Sequence, residues 1–240
     1  MPHVRTGAGT ETDTEFTAAS RDKSGLAQSV SIPANGVTLT GDLHLPAGAV
    51  GIVLFAHGSG SGRHSPRNKR VAEILREGST ATLLFDLLSL EEEKEDRFSG
   101  RFRFNVALLA KRLLAATGWI ASHRSTQHLG LGYFGSSTGA GAALIAAAEL
   151  GPTVDAVVSR GGRTDLAGPF LGAVEAPTLL LVGDNDPDIL AINRTTTTQL
   201  RCPHELSIIR GASHLFEEPG TLEAAAREAA GWFRRHLQPR

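Results

Sequence analysis

Short apolar runs that alternate with longer helix-like stretches are the feature that most constrains this chain. Gly51–Ala56 and Pro177–Val182 are two such runs, each about the length of one strand. A strand that is apolar throughout is typical of a parallel sheet with both faces covered. Because strand and helix patterns alternate to the end of the chain, the sequence predicts an α/β fold. Its sheet should be mostly parallel, with helices on both faces.

A hairpin is predicted ahead of this alternating part. Ser29–Ile32 and Val37–Leu45 have strand patterns, and Asn35-Gly36 between them suits a type I′ turn. The hairpin would give the sheet an antiparallel edge. Further strands are predicted at Gly51–Ala56, Thr80–Asp86, Leu129–Phe134, Val154–Val158, Pro177–Val182 and Glu205–Ile209. Helices are predicted at Pro66–Glu77, Phe104–Ser122, Thr138–Leu150, Ile189–Leu200 and Thr221–Leu237.

One domain accounts for this pattern. It is predicted over residues 27–240, behind a flexible N-terminal extension at residues 1–26 that is rich in Thr, Gly, Ala and charge. Leu87–Arg103 carries five acidic and four basic residues and is predicted as an irregular segment, either a lid over a site or a solvated loop.

Composition removes several classes of function. Lys plus Arg number 24 and Asp plus Glu 25, so the chain lacks the basic excess of a non-specific nucleic-acid binder. Cys202 is the single cysteine, which excludes an intramolecular disulfide framework and CxxC zinc or redox sites. No apolar run approaches the ~20 residues that span a bilayer, and no secretory signal is visible. We expect a cytoplasmic protein with no nucleic-acid or membrane partner.

A serine motif follows the strand predicted at Leu129–Phe134. Gly135-Ser136-Ser137-Thr138-Gly139 matches G-x-S-x-G between a strand and a helix. The glycines avoid side-chain clashes across a sharp turn that lifts the central hydroxyl above the sheet. Ser137 is therefore the predicted nucleophile, because Ser136 lacks glycines at both offsets.

A serine hydroxyl needs a base and a group that orients the base. His214 and Asp186 each follow a predicted strand, where ligands of open α/β sheets bind. They are the predicted base and acid, in the order serine, acid, histidine. Asp184 is the next choice for the acid, and Asp165 remains a further alternative.

Four segments together resemble the α/β-hydrolase superfamily, and in particular its dienelactone hydrolase-like branch. They are His57-Gly58-Ser59-Gly60, Gly132-Tyr-Phe-Gly-Ser-Ser-Thr-Gly139, Leu181-Val-Gly-Asp-Asn-Asp186 and Gly211-Ala-Ser-His214-Leu-Phe216.

The resemblance implies that the backbone amides of Ser59 and Thr138 form an oxyanion hole, that His57 is a structural loop residue, and that no cofactor or metal is needed. Dienelactone hydrolases carry cysteine where this chain has Ser137. We therefore expect a serine hydrolase that cleaves a small carboxylic ester or lactone through an acyl-enzyme, with the small ester as its partner.

Three arginines are candidates for binding an anionic group of the substrate. Arg160 and Arg163 belong to an Arg-Gly-Gly-Arg turn after a strand, and Arg63 lies in the glycine loop after Gly51–Ala56.

Two other functions remain open from the sequence. One is acyl transfer on the same fold. The other is a Rossmann-like dinucleotide site that uses the Gly58–Gly62 loop and Asp86, although the G-x-G-x-G spacing and a late helix start argue against it.

Overall fold

The computed structural model describes residues 20–22 and 25–240, with side chains from residue 27 onward. The strands are β1 (Ser20–Asp22), β2 (Gly25–Ala34), β3 (Val37–Leu45), β4 (Gly51–Ala56), β5 (Ala81–Phe85), β6 (Gly130–Ser136), β7 (Ala156–Arg160), β8 (Thr178–Gly183) and β9 (His204–Ile209). The α-helices are α1 (Pro66–Glu77), α2 (Leu90–Ser99), α3 (Val106–Ser122), α4 (Thr138–Leu150), α5 (Pro187–Gln199) and α6 (Thr221–His236). Two 3₁₀ segments lie at Gly151–Thr153 and Thr164–Ala173.

All these strands join one sheet in the order β1-β2-β3-β5-β4-β6-β7-β8-β9. The pairs from β1 to β5 along this order are antiparallel, and those from β5 to β9 are parallel. The sequence prediction of a mostly parallel sheet with an antiparallel edge is therefore confirmed. So is the hairpin turn, because Asn35 and Gly36 both have the positive φ that a type I′ turn requires.

The apolar strands separate two cores. In β4, Ile52 and Leu54 face one core and Val53 and Phe55 the other, as the two-residue period of a strand dictates. Helices α3 and α4 pack on the first face, and α1 and α6 pack on the second. Helices on both faces were predicted, and the predicted strand and helix boundaries agree with the structure to within four residues.

Three stretches differ from the prediction or lie outside it. Most of the predicted extension, residues 1–26, falls outside the described residues, but Ser20–Asp22 forms β1 and β2 already begins at Gly25. The segment Leu87–Arg103 is not irregular, because Leu90–Ser99 is helix α2. The 3₁₀ segment Thr164–Ala173 was not predicted, and Gly168 and Pro169 interrupt it.

The strand order places a crevice at the carboxyl ends of β4 and β6. The chain runs from β4 to β5 on one side and then returns to place β6 on the other, so the loops after β4 and β6 diverge between these two strands. Such switch points are where open α/β sheets bind ligands. Among the described residues, none of the helices is long and apolar enough to cross a membrane.

Candidate active site

Ser137 occupies a strained turn between β6 and α4. Its φ of 51° and ψ of −121° lie outside the regions that side-chain-bearing residues ordinarily adopt. It is the N-cap of α4 but makes no capping hydrogen bond with its side chain. The hydroxyl is therefore not used by the helix and lines a cavity at the crevice instead.

The flanking glycines make this turn possible by close backbone contact. A Cβ at Gly139 would overlap the carbonyl oxygens of Ala56 and His57, and a Cβ at Gly135 would overlap the backbone of Ala140. The G-x-S-x-G pattern thus reflects the packing of the turn against β4 and against the start of α4. The sequence argument attributed the glycines to this crowding, and the contacts agree with it.

His214 lies across the same cavity and contacts Asp186. The two side chains meet with 2.6 Å between His214 Nδ1 and Asp186 Oδ2. Because a carboxylate accepts hydrogen bonds, Nδ1 is the donor of this contact, and in the neutral imidazole Nε2 is then the nitrogen that can accept a proton. The Asp186 side chain is 12% exposed and that of His214 is 38% exposed, so the carboxylate is shielded while the imidazole reaches the open side of the cavity.

Neighbouring acidic residues hold the loop that carries His214. Asp184 Oδ1 accepts a hydrogen bond from the Gly211 amide at 2.7 Å, and Glu218 Oε2 accepts one from the Ser213 amide at 3.0 Å. Asp165, the third acid considered, pairs with Arg163 through two hydrogen bonds of 2.7 and 2.8 Å. Of the three acids considered, Asp186 is therefore the one that contacts the imidazole of His214.

The two residues expected to supply oxyanion-hole amides contact each other. The Ser59 amide donates a hydrogen bond of 2.9 Å to the Thr138 hydroxyl. Gly58 packs close to Ser137, since a Cβ there would lie 3.1 Å from Ser137 Cβ. The loop after β4 and the first residue of α4 thus lie together beside Ser137.

His57 fastens this loop to the sheet. Its side chain is buried, and its Nε2 accepts a hydrogen bond of 3.0 Å from the Leu87 amide, while Nδ1 lies 3.0 Å from the Gly58 carbonyl oxygen. Burial lowers the pKa of the imidazole, which favours the neutral form that accepts from Leu87. These contacts agree with the structural role that the resemblance implied.

The three candidate arginines have different surroundings. Arg63 is paired with Asp86 through its guanidinium and amide and lies 3.5 Å from Asp42, and it does not line the cavity. The exposed Arg163 guanidinium pairs with Asp165. Arg160 does line the cavity of Ser137 and His214, and it is buried.

The Arg160–Arg163 turn packs against both Ser137 and His214. The Arg163 amide donates a hydrogen bond of 3.0 Å to the Ser137 carbonyl oxygen. Gly161, with a φ of +54°, passes close to His214, so that a Cβ there would lie 3.2 Å from the His214 carbonyl oxygen. The turn therefore supports the positions of Ser137 and His214 as well as presenting Arg160.

Sequence reasoning missed part of the cavity wall. The start of α1 contributes Arg67 and Asn68, and Ser136 lines the cavity beside the nucleophile. The available signal was the Ser65-Pro66 helix start directly after the glycine loop, which places the first turn of α1 at the same edge as Ser137. The cavity has a volume of about 230 Å³, which suits a small ligand.

The dinucleotide alternative does not fit the loop. Asp86, which would have held a ribose, accepts a hydrogen bond of 2.8 Å from the Arg63 amide and pairs with the Arg63 guanidinium. It therefore holds the glycine loop in place. Cys202 is buried at the start of β9, and burial raises the pKa of its thiol, so it is unsuited to act as a nucleophile.

Comparison with curated proteins gives a relative about twice as long. The chain is 51% identical over 210 residues, 88% of its length, to a protein of Mycobacterium tuberculosis provisionally named a phosphoribosyl transferase. The match covers 46% of that protein, so the chain spans about half the length of the curated relatives it matches. No family model matches the chain.

Solved structures give a match over the whole length of the compared chain. A dienelactone hydrolase from Anabaena variabilis is 54% identical, with a TM-score of 0.87, and the match covers 88% of this chain and 98% of that one. A cold-adapted esterase from an Arctic intertidal metagenomic library has the same fold, with a TM-score of 0.72 and 16% identity over 94% of this chain and 100% of the esterase. By its close similarity to the Anabaena hydrolase over nearly that entire chain, this chain belongs to the α/β-hydrolase superfamily, in the dienelactone hydrolase-like branch.

Proposed function

We propose that the protein is a serine hydrolase that cleaves a small carboxylic ester or lactone. The observation that carries this proposal is the 2.6 Å contact between His214 Nδ1 and Asp186 Oδ2, beside a serine held in a strained turn. Ser137 and His214 line one cavity. A nucleophile, a base and a group that orients the base are the parts that acyl transfer to serine needs.

In the proposed reaction, Ser137 Oγ attacks the ester carbonyl carbon as its proton passes to His214 Nε2. The carbon–oxygen bond to the alcohol then breaks, and His214 returns the proton to the departing alkoxide. The acyl group stays bound to Ser137. Water attacks this acyl group and gives a proton to Nε2. The bond to Ser137 Oγ then breaks as His214 returns that proton to the serine oxygen, which restores both side chains. The products are a carboxylic acid and an alcohol, and Asp186 holds the imidazole in the tautomer that both steps use.

The oxyanion of each tetrahedral intermediate would be held by the Ser59 and Thr138 amides. Both lie next to Ser137, and Thr138 opens α4, where the helix dipole favours negative charge. In this structure the Ser59 amide donates its hydrogen bond to the Thr138 hydroxyl. To stabilise the oxyanion, the amide must break this hydrogen bond and donate to the oxyanion instead. A fully charged oxygen is the stronger acceptor, so this exchange favours the intermediate over the bound ester.

Two transferase functions are alternatives to this proposal. They are the phosphoribosyl transfer in the name of the mycobacterial relatives and acyl transfer on the same fold. The provisional name of the mycobacterial relatives belongs to proteins of which this chain matches only 46%, whereas its match to the Anabaena hydrolase covers 98% of that chain. Acyl transfer to an alcohol or amine would use the same three residues. We favour hydrolysis because the cavity is lined mainly by polar groups and opens at the protein surface, where water can reach the acyl group.

Labelling of the nucleophile tests the proposal directly. A fluorophosphonate should label the wild-type protein once, at the peptide that contains Ser137, and should not label Ser137→Ala. Turnover of p-nitrophenyl acetate should fall by about 10³-fold or more in the same variant.

Ser136→Ala is the matched control, since it removes the neighbouring hydroxyl and keeps the nucleophile. It should still be labelled at Ser137. Thermal unfolding of both variants near the wild-type temperature would show that the fold is intact. Full turnover by Ser137→Ala would refute the assignment.

A further inference from the structure

Arg160 is a buried cation that has no anionic partner in the part of the chain that the structure describes. Its side chain is among the buried residues at 7% exposure, and its Nη2 donates one hydrogen bond of 3.2 Å to the Ser136 hydroxyl. Its Nε and Nη1 have no acceptor among the described residues. The ring of Phe216, with its centroid 5.7 Å from the guanidinium carbon, is the aromatic group nearest the charge. A buried charge costs free energy unless it is paired, so this arrangement requires a reason.

The surroundings add positive charge. Burial and the neighbouring Arg67 cation lower the pKa of Arg160 to about 10, so the guanidinium stays charged at neutral pH. Arg67 lies on the same cavity wall. Within the described residues it forms one ion pair, with Glu217 at 3.0 Å, and the Glu217 side chain is 61% exposed. Such an exposed pair contributes little. Among the described residues that line the cavity, none is acidic.

The wall between the two arginines carries hydroxyl and amide side chains that are joined by long hydrogen bonds. The Asn68 backbone amide donates to the Ser65 hydroxyl, and the Ser136 hydroxyl donates to Asn68 Oδ1, each at 3.4 Å. Ser65 and Asn68 stand at the start of α1, a helix of 12 residues with no acidic side chain in its first turn. The start of a helix favours an anion through its dipole and its free amides. Ser136 completes this wall next to Ser137. The cavity thus offers two guanidinium groups, a helix start and several hydroxyls to one small ligand.

We propose that the ester cleaved at Ser137 carries a phosphate group, which binds between Arg160, Arg67 and the start of α1. This assignment rests on the proposed hydrolase function and names its substrate class. One guanidinium fork satisfies the two oxygens of a carboxylate, whereas a phosphate presents three acceptor oxygens and close to two negative charges. Two guanidinium groups, with the polar side chains of Ser65, Asn68 and Ser136 between them, match the charge and the number of oxygens of a phosphate. The volume of about 230 Å³ leaves room for only a small acyl group and alcohol beside it.

Direct binding tests the anion site without relying on hydrolysis. Inorganic phosphate is titrated calorimetrically into the wild-type protein, Arg160→Met and Arg70→Met, at constant ionic strength. Arg70 is the matched control. It lies about one turn after Arg67 on α1, pairs with Glu73 and Glu223, and does not line the cavity.

Phosphate should bind the wild type and Arg70→Met equally and should bind Arg160→Met at least about tenfold more weakly. Acetate should bind the wild type at least about tenfold more weakly than phosphate. Equal phosphate affinity in Arg160→Met would overturn the site, and equal affinity for acetate and phosphate would overturn the choice of phosphate. If Arg160→Met does not fold, Arg67→Met carries the same comparison under the same criteria.

A pair of esters connects the anion site to catalysis. The ratio of kcat/KM for 2-acetoxyethyl phosphate to that for 2-acetoxyethanol should exceed about tenfold in the wild type and should fall towards one in Arg160→Met. A wild-type ratio near one would overturn the proposed substrate class. Hydrolysis of neither ester, with phosphate binding intact, would instead refute the hydrolase function and leave the anion site standing.

Discussion

Two clusters of polar side chains in this molecule use their hydrogen-bonding groups in opposite ways. We call Ser89, Glu92, Asp96, Arg103 and Arg112 the α2 cluster, and Arg67, Asn68, Ser136 and Arg160 the cavity cluster. In the α2 cluster, the buried Arg112 donates to Glu92 at 2.6 Å and to the Ala34 carbonyl oxygen. Asp96 accepts hydrogen bonds from the Phe102 amide at 2.6 Å and from the Arg103 side chain at 2.5 Å.

The cavity cluster also has arginine and serine side chains, but it has no carboxylate. Arg160, at 7% exposure, is about as buried as Ser89, Asp96 and Arg112, yet among the described residues it contacts a hydroxyl and no carboxylate. Paired groups of the α2 cluster stabilise a helix and its junction with α3. In the cavity cluster, by contrast, Arg67 pairs only with an exposed glutamate and Arg160 Nε and Nη1 have no partner among the described residues, which leaves positive charge available for a ligand. Burial alone therefore does not distinguish a structural arginine from a binding one, whereas the number of acceptors already in place does.

Asp184 and Asp186 show the same contrast, since Asp184 accepts from a backbone amide whereas Asp186 contacts His214. The largest effect on activity is expected at these two residues. Asp186→Asn should lower kcat for p-nitrophenyl acetate by about 10⁴-fold, because an amide no longer selects the productive tautomer of His214. Asp184→Asn should retain most of kcat, since its carboxylate accepts from the Gly211 amide and an amide oxygen can also accept. Steady-state kinetics of the two variants measure this difference. A larger loss in Asp184→Asn would move the acid to that position.

A smaller but clear effect on stability is expected in the α2 cluster. Arg112→Met should lower the free energy of unfolding by about 3 kcal/mol, because it leaves the Glu92 carboxylate without its buried partner. Urea denaturation provides the measurement, with Arg160→Met as the matched comparison. That variant removes an unpaired charge and should lose less stability than Arg112→Met. If Arg160→Met were the more destabilised, the contrast between the two clusters would fail.

The smallest effect is expected at His57, which connects the glycine loop to the segment before α2 through the Leu87 amide. Because burial places its folded-state pKa below the usual 6.5, the unfolded chain binds a proton more readily as the pH falls below 6.5. The stability contributed by neutral His57 is present above that pH and is lost below it. His57→Gln should remove this part of the acid sensitivity.

Unfolding in urea at pH 7.5 and pH 5 measures the change. The loss of stability between these values should be smaller in His57→Gln than in the wild type, by about 1 kcal/mol. An equal loss in both proteins would mean that His57 is not held neutral in the folded state.

The sequence was sufficient for features that depend on local pattern. Apolar runs located the strands, Asn35-Gly36 located the hairpin turn, and two glycines at fixed offsets singled out Ser137. Helix α2 also had a local signal that was missed, because Ser89 and Glu92 form a capping box in which each side chain bonds the other residue's amide. The five acids and four bases of that stretch suggested a loop, although many of these charges lie on exposed helix surface.

Features that depend on distant contacts were beyond the sequence. The pairing of Arg63 with Asp86 and Asp42 and the contact of Ser59 with Thr138 join residues 20 to 80 positions apart. A run of sequence does not reveal whether an arginine will meet a carboxylate in the fold. This is why Arg63, Arg160 and Arg163 were equivalent candidates at first, and why the structure separates them. The roles proposed for Ser137, Asp186 and His214 remain predictions until their variants are assayed.

The close approach of the glycines around Ser137 also limits how such a protein can diverge. A Cβ at Gly139 would overlap the carbonyl oxygens of Ala56 and His57, and a Cβ at Gly135 would overlap the start of α4. Even an alanine at either position would therefore displace the backbone of the loop after β4 or of the helix. Ser137, by contrast, lines the cavity, and its side chain makes no capping hydrogen bond to the helix. New reactivities on this framework should therefore arise by exchange of the central side chain and of cavity residues such as Arg67, while the turn itself is inherited unchanged.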